Sequence, residues 1–292
     1  MLHRRSRALR GSPAWDQPLW LWPNLLSLDA PLIAVLWMQL FAVSEDVRLS
    51  PGVTLVLGLA VWLIYVADRL FDGMFATTGL QAVRHRFHMA HRNVLLAGAS
   101  LALAITCLAC LELDTLTLEF GTLLTLVVLA YFGAIHGRLV KRRLCLPKEM
   151  VVAVVFGAGT FFPASIHARG SYPAMAIVLA LFVVICWLNL VLIEYAEWMV
   201  LRHGKTQRPH VSTVMAGQYL PWFGGGAAIM ALLVFCSPYA GTERPALLAL
   251  VMSAVALAGL SYCWRCLSSN AVRVLADVAL LSPLIVLALV TR

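Results

Sequence analysis

Long apolar runs separated by short charged breaks are the feature that most limits how this chain can fold. A helix crosses the hydrocarbon core of a bilayer with about 20 predominantly apolar residues, and many runs here reach that length. Only 12% of the residues are charged, about half the share found in soluble domains. The mean hydropathy is +0.86. Most of the surface must therefore face lipid, and we predict an all-α, multi-pass integral membrane protein.

The breaks divide the chain into about nine predicted transmembrane helices. They are Asn24–Ala42, Val53–Leu70, Asn93–Leu111, Leu118–His136, Glu149–His167, Ala174–Ile193, Val214–Cys236, Pro245–Trp264 and Val272–Val290. We predict that residues 24–292 form one transmembrane domain. A basic cytoplasmic segment, residues 1–23, precedes it.

The basic residues give the predicted orientation. Of the 22 lysines and arginines, only Arg48, Arg169, Arg244 and Arg292 fall in breaks on the side away from the N-terminus. Cytoplasmic loops are enriched in Lys and Arg, so we predict a cytoplasmic N-terminus in the cell (inner) membrane. The net charge of +8 then reflects orientation or phosphate binding, and we expect no nucleic-acid partner.

Two predicted spans end in pairs of carboxylates. The second ends with Asp68 and Asp72, and the sixth with Glu194 and Glu197. Residues three or four apart share a helix face, and an ionisable group at membrane depth costs about 2.5–3.5 kcal/mol. Both pairs lie at predicted cytoplasmic ends followed by basic loops. They are therefore candidates for a functional site.

A diphosphate carrying Mg²⁺ is a ligand that fits two such pairs. Magnesium takes one or two carboxylates together with phosphate oxygens and waters, and Arg and Lys neutralise the remaining phosphate charge. The alternative is that these are interfacial charges paired locally with Arg69 or Arg202. We expect Arg69 itself to form a structural pair, since it turns away from Asp68 on the helix. Arg273 is the expected partner of Asp277, one turn later.

The carboxylate motifs resemble those of the UbiA superfamily of intramembrane prenyltransferases. That family has nine helices and two aspartate-rich motifs, at the cytoplasmic ends of the second and sixth. Asp68-x-x-x-Asp72 matches part of the first motif. Glu194 and Glu197, followed by Gly204-Lys205-Thr206, resemble the second. The resemblance covers nearly the whole chain, from about residue 24 to 290.

The resemblance implies Mg²⁺-dependent transfer of a prenyl group from a prenyl diphosphate to an aromatic or other lipophilic acceptor, among membrane lipid. It implies that Asp68, Asp72, Glu194 and Glu197 are catalytic and bind the metal. The substrate-binding residues that it implies are Tyr65, Arg84, Arg86, Tyr131, Lys141, Arg142, Asn189 and Lys205. The tyrosine rings would stabilise an allylic cation, and the basic side chains would hold the diphosphate.

Other functions remain open. Ile64 stands where the family has an Asn, and the second motif has Glu for Asp, which favours non-catalytic isoprenoid-lipid binding or transport. The histidines of residues 84–92 allow a His-box iron oxidase, although a basic interfacial helix is favoured there. Asp68 and Asp72-Gly73 allow a CDP-alcohol phosphotransferase, but the step is four residues rather than three. The pairs Cys107/Cys110 and Cys263/Cys266 fall on opposite sides, so they do not share a zinc ion.

Overall fold

The computed structural model describes residues 17–75, 83–136, 147–168, 172–200 and 209–290, and within these residues it is helical with no strand. The α-helices are α1 (Trp22–Leu25), α2 (Asp29–Ser44), α3 (Pro51–Phe75), α4 (Val83–Ala90), α5 (Arg92–Cys110), α6 (Thr115–His136), α7 (Lys148–Ser165), α8 (Tyr172–Val200), α9 (Val211–Gln218), α10 (Leu220–Cys236), α11 (Arg244–Cys263), α12 (Ser269–Ala279) and α13 (Ser282–Val290). Short 3₁₀ turns lie at Leu19–Leu21, Pro238–Glu243 and Trp264–Cys266.

Six candidate membrane spans occur in the described part of the chain. The number rises to eight if two bent pairs each count as one span: α1 with α2, bent by 79°, and α9 with α10, bent by 74°. The prediction of an all-helical chain with several membrane-spanning helices is thus confirmed. The fifth predicted span, Glu149–His167, corresponds to α7, which is not among these candidates and begins with the charged residues Lys148 and Glu149. The count of nine and the UbiA-like fold stay predictions.

Helix α8 lies at the centre of the bundle. In its most apolar stretch 56% of the residues are buried, against 11% for α5 and 6% for α6. It packs against α7, α9, α10, α11 and α12. The contact with α7 is close because Gly157 faces it: a Cβ there would lie 2.6 Å from the Val183 side chain. The buried α8 therefore carries its carboxylates into the middle of one end of the bundle.

Aromatic rings fix α2 against α7 and α8. The ring centroids of Trp37 and Phe182 are 4.6 Å apart, and those of Phe41 and Phe161 are 4.9 Å apart. All four side chains are buried. Offset and edge-on aromatic contacts of this kind add stability beyond the area they bury. They hold the helices that bring the polar end groups together.

The last membrane-spanning segment is broken between α12 and α13. The carbonyl of Leu280 at the break accepts a hydrogen bond from the Trp37 indole, 2.8 Å from nitrogen to oxygen. The Ser253 hydroxyl donates to the carbonyl of Ala279 over 2.8 Å. An unsatisfied backbone group costs several kcal/mol in lipid. Side chains of the neighbouring helices α2 and α11 thus stabilise the break.

Candidate functional site

The first carboxylate pair lies at the end of α3. This helix continues through Phe75, so Asp68 and Asp72 are one turn apart on one face, as predicted. Asp68 is partly buried and Asp72 is exposed. Asp72 repels the Asp68 carboxylate, whereas Lys148, Arg84 and Arg69 attract it. Side chains from three helices thus act on this carboxylate.

Lys148, the first residue of α7, lies where α3 and α8 come together. Its ammonium nitrogen is 3.9 Å from Oε2 of Glu194, and Glu149, Asp72 and Asp68 also attract it. One lysine therefore links the pair on α3 to a carboxylate on α8. We call these four carboxylates and Lys148 the acidic cluster.

Thr213 and Tyr131 border the acidic cluster. Glu149 is buried, and its Oε2 accepts a hydrogen bond from the Thr213 hydroxyl over 3.1 Å. The phenol of Tyr131, on α6, interacts electrostatically with Lys148 and Asp68. The predicted substrate-binding Tyr131 therefore lies beside the predicted metal ligands.

Glu197, the second carboxylate on α8, has a different environment. Its Oε1 accepts a hydrogen bond from Nη1 of Arg84 over 2.9 Å. The same oxygen accepts from Nη2 and Nε of Arg273, over 2.8 and 3.2 Å. We call these three residues the arginine clamp. It joins α4, α8 and α12 through one buried oxygen, while the predicted role of Glu197 in metal binding stays a prediction.

A further polar group surrounds the start of α2. Arg69 donates a hydrogen bond to the carbonyl of Asn24, and its Nη2 is 3.9 Å from Oδ1 of Asp29. The Asn24 amide donates to the Asp29 carboxylate. These contacts span the bend between α1 and α2. The expected structural role of Arg69 is therefore confirmed.

Two predicted substrate-binding residues lie beside this group. The Asn189 amide donates to Oδ1 of Asp277 over 3.5 Å, and Asp277 in turn contacts Asp29. The Tyr65 ring lies 6.0 Å from the guanidinium carbon of Arg69. Asp277 attracts Arg273, as expected, but the hydrogen bonds of Arg273 go to Glu197. Tyr65 and Asn189 thus lie beside the polar group at the start of α2.

Helix α4 is the basic helix expected between the second and third spans, and His88 anchors it. The His88 ring is fully buried. Its Nδ1–H donates to the Arg84 carbonyl over 2.9 Å, which leaves Nε2 to accept from the Ser27 hydroxyl, 3.2 Å away. Burial lowers the pKa of His88 to about 4. A neutral histidine therefore holds the backbone that carries Arg84.

Of the other basic residues predicted to bind substrate, the structure describes only Arg86. Arg86 is half-buried on α4, two residues from Arg84. Lys141, Arg142 and Lys205 lie outside the described residues. Within the described residues no group of three or more His, Cys, Asp or Glu side chains is arranged as a ready metal site.

Lys148 and Arg273 were not among the predicted site residues. Lys148 directly follows Pro147 at the end of the bundle that carries both carboxylate pairs, and that position was the available signal. Arg273 is an arginine within a predicted span, which by itself suggests an intramembrane carboxylate partner. Neither signal identifies Glu194 or Glu197 as the partner, because the register between helices is not visible in the sequence.

The chain matches no protein-family model, and neither a curated protein nor a solved structure is detectably similar to it. The resemblance to the UbiA superfamily therefore rests on the sequence motifs alone.

Proposed function

We propose that this protein is a Mg²⁺-dependent membrane prenyltransferase similar to the UbiA superfamily. It would transfer a prenyl group from a prenyl diphosphate to an aromatic or other lipophilic acceptor. The supporting observation is that Asp68, Asp72 and Glu194, from two separate spans, all act on Lys148 at one end of the bundle. Such an assembly of carboxylates within an apolar protein is costly, and function is the usual reason for it.

The carboxylates suit magnesium. Mg²⁺ is held by one or two carboxylates together with substrate phosphate oxygens and waters. Asp68 and Asp72 provide two carboxylates on one face of α3, and the phosphates would complete the coordination. When bound, the ion offsets the charge of the departing diphosphate. We assign Asp68 and Asp72 as ligands, with Glu194 and Glu197 as the further carboxylates of the site.

Basic side chains would neutralise the rest of the diphosphate. Arg84 acts on Asp68 electrostatically and is held in place by Glu197. Arg86 follows two residues later on α4. Lys141, Arg142 and Lys205 are assigned to the same task from the segments after α6 and α8, because charged donors give strong hydrogen bonds to phosphate.

The aromatic and amide residues would contact the prenyl chain and the acceptor. Tyr131 adjoins the acidic cluster, and its ring face can stabilise positive charge on an allylic carbon. Tyr65 and Asn189 lie beside Arg69 and Asp277, where we place the acceptor-facing wall.

The second candidate is a non-catalytic protein that binds or transports isoprenoid lipids. The arginine clamp favours it, because one of the four predicted metal-binding carboxylates is already neutralised by two guanidinium groups. Such a protein would bind a prenyl diphosphate without releasing diphosphate from it.

Release of diphosphate tests the proposal. The purified protein in nanodiscs is incubated with labelled farnesyl or geranylgeranyl diphosphate and a membrane lipid extract, with Mg²⁺ or with EDTA. Mg²⁺-dependent release is expected, together with a prenylated lipid seen by mass spectrometry. Asp68→Asn should abolish it. Asp46→Asn, in an exposed acidic residue after α2, should leave it intact. Binding without release would support the second candidate instead.

We further propose that the site faces the cytoplasm of a cell (inner) membrane. Single cysteines at Thr242 and Ser268, both exposed, test the orientation in a background without native cysteines. A membrane-impermeant maleimide added outside intact cells should label position 242 and miss position 268. Labelling in the reverse pattern would place the N-terminus outside.

A further inference from the structure

A pocket of about 460 Å³ opens at the ends of α8, α9 and α11, and its lining includes none of the residues assigned to the reaction. Its walls include Tyr195, Gly217, Gln218, Tyr262, Trp264 and Arg265. The volume lies in the range of small-molecule sites, about 300–1,000 Å³. The pocket is therefore large enough for a polar headgroup.

The bend between α9 and α10 shapes this pocket. Gly217 lies just before the bend, and a Cβ there would meet the Tyr195 ring at 2.4 Å. The absence of a side chain allows α9 to press against that ring. On its other side, Tyr195 makes an edge-on contact with Trp264, with centroids 5.6 Å apart. Tyr195 is buried, so it forms a fixed floor.

Arg265 supplies a positive charge at the pocket. Its guanidinium carbon lies 5.5 Å from the centroid of the Trp264 ring. In the described part of the chain no carboxylate is paired with Arg265, and its side chain is exposed. A guanidinium held against an aromatic ring presents its donors in a fixed plane, which suits the oxygens of a phosphate. The expected ligand of this pocket is therefore an anion.

The pocket also has the surroundings of a membrane–water boundary. It lies where α11 ends, and the exposed Tyr262 side chain stands beside it. The exposed Trp222 follows the bend on α10. Tyr and Trp concentrate at the headgroup level of bilayers, and basic pockets between helices bind anionic headgroups there. An acyl chain could leave the pocket along the apolar outer faces of α10 and α11.

We propose that this pocket binds the phosphate headgroup of an anionic glycerophospholipid, with Arg265 holding the phosphate and Gln218 its polar substituents. Tyr195 lies on α8 directly after Glu194, but adjacent residues on a helix point about 100° apart. The lipid and the acidic cluster would therefore occupy different sides of α8. This site does not depend on the reaction proposed above.

Lipid retention and thermal stability test this site. The protein is placed in nanodiscs of phosphatidylcholine alone or with phosphatidylglycerol, and bound lipid is counted by native mass spectrometry. The wild type should retain phosphatidylglycerol preferentially and melt at a higher temperature with it. Arg265→Ala should weaken retention by about tenfold or more, as expected for loss of a charged hydrogen bond. Arg265→Lys should keep part of it.

The matched control is Arg92→Ala, which removes the same charge from an exposed arginine at the start of α5. It should retain the lipid as the wild type does. All variants should melt alike in phosphatidylcholine, since both arginines are exposed. Equal loss in Arg265→Ala and Arg92→Ala would overturn the site in favour of general surface charge. If inorganic phosphate in detergent raised the melting temperature as much as phosphatidylglycerol does, the ligand would be a soluble anion and not a lipid.

Discussion

Two groups of charges lie at the same end of this bundle, and they are balanced differently. In the acidic cluster four carboxylates act on the single ammonium of Lys148, whose side chain is 60% exposed. In the arginine clamp two guanidinium groups act on one buried carboxylate oxygen of Glu197. Glu194 and Glu197 are one turn apart on α8, yet one belongs to each group.

The different charge balance gives the two groups different roles: the acidic cluster can bind a cation, whereas the arginine clamp holds helices together. The four carboxylates of the acidic cluster outnumber its one ammonium group and repel one another, and a bound cation relieves that repulsion. A buried carboxylate between two arginines is already compensated, and removing it would leave charge without a partner in an apolar environment. The acidic cluster is thus suited to a metal-bearing ligand, whereas the arginine clamp is suited to fixing α4 and α12 on α8.

The largest expected effect follows from breaking the arginine clamp. Glu197→Gln should lower the free energy of unfolding by about 3–5 kcal/mol, because Arg84 and Arg273 would both lose the carboxylate to which they are hydrogen-bonded in a mostly buried site. Thermal unfolding in detergent measures the loss. Glu194→Gln is the matched control on the same helix, and it should change stability by no more than about 1 kcal/mol. Similar losses in both variants would contradict the division of roles.

Magnesium should stabilise the acidic cluster. At 100 times its dissociation constant, Mg²⁺ should raise the free energy of unfolding by about 2.7 kcal/mol. The double variant Asp68→Asn, Asp72→Asn should lose this response while keeping its stability in EDTA, since two repelling charges are gone. Melting curves across a Mg²⁺ titration provide the measurement. An unchanged response in the double variant would move the metal away from α3.

Lowering the pH should destabilise the protein through His88, which fixes the helix that carries Arg84. Burial lowers the pKa of this imidazole to about 4, below its value of about 6.5 in an unfolded chain. The unfolded state therefore takes up the proton first, and stability is lost as pH falls from about 6.5 towards 4. At pH 5.5 the loss should be about 1.4 kcal/mol relative to pH 8.

Unfolding measured between pH 5.5 and 8 tests this expectation. His88→Gln keeps a neutral side chain that can bond to Ser27, and it should flatten the pH dependence in that range. His91→Gln, three residues later in the turn between α4 and α5 and only partly buried, is the control and should leave the slope as it is. A slope that survives in His88→Gln would mean that another group titrates.

The smallest effect is expected at Lys148. Lys148→Met should lower stability by about 1 kcal/mol or less, because the Lys148 side chain is 60% exposed and its ammonium lies 3.9 Å from the Glu194 carboxylate. Salt should mask the change, since it screens exposed charges. Arg273→Met, in the buried clamp, should cost more and respond little to salt. Melting in 0.05 and 0.5 M NaCl compares the two. A salt-independent loss at Lys148 would mean that its role is packing.

The sequence predicts the helices better than it predicts the side-chain contacts between them. The apolar runs place most of the observed helices, because span length depends on composition alone. They miss the breaks after Leu25, at Tyr219 and at Leu280, since what permits a break is a donor or tight contact supplied by another helix. The indole of Trp37, 243 residues from the carbonyl it satisfies, leaves no local signal.

The candidate site shows the same limit. Spacing predicts that Asp68 shares a face with Asp72, and Glu194 with Glu197, because the helical repeat is local. It does not predict that Glu197 is hydrogen-bonded to two arginines while Glu194 pairs with a lysine. That outcome depends on how α4, α7 and α12 are placed around α8, which is a property of the packed bundle.

The low burial of α5 and α6 has a consequence for how this protein can change. Most side chains of these helices lie on the outer surface of the bundle, where Leu, Ile, Val and Ala serve nearly equally well in lipid. Substitutions among them carry little selective cost, so their sequences are free to drift. Substitutions in helix α8 are more constrained, because a change in side-chain volume there alters the packing of every helix around it. Divergence should therefore be concentrated on one side of the molecule, while the side that carries the charges changes slowly.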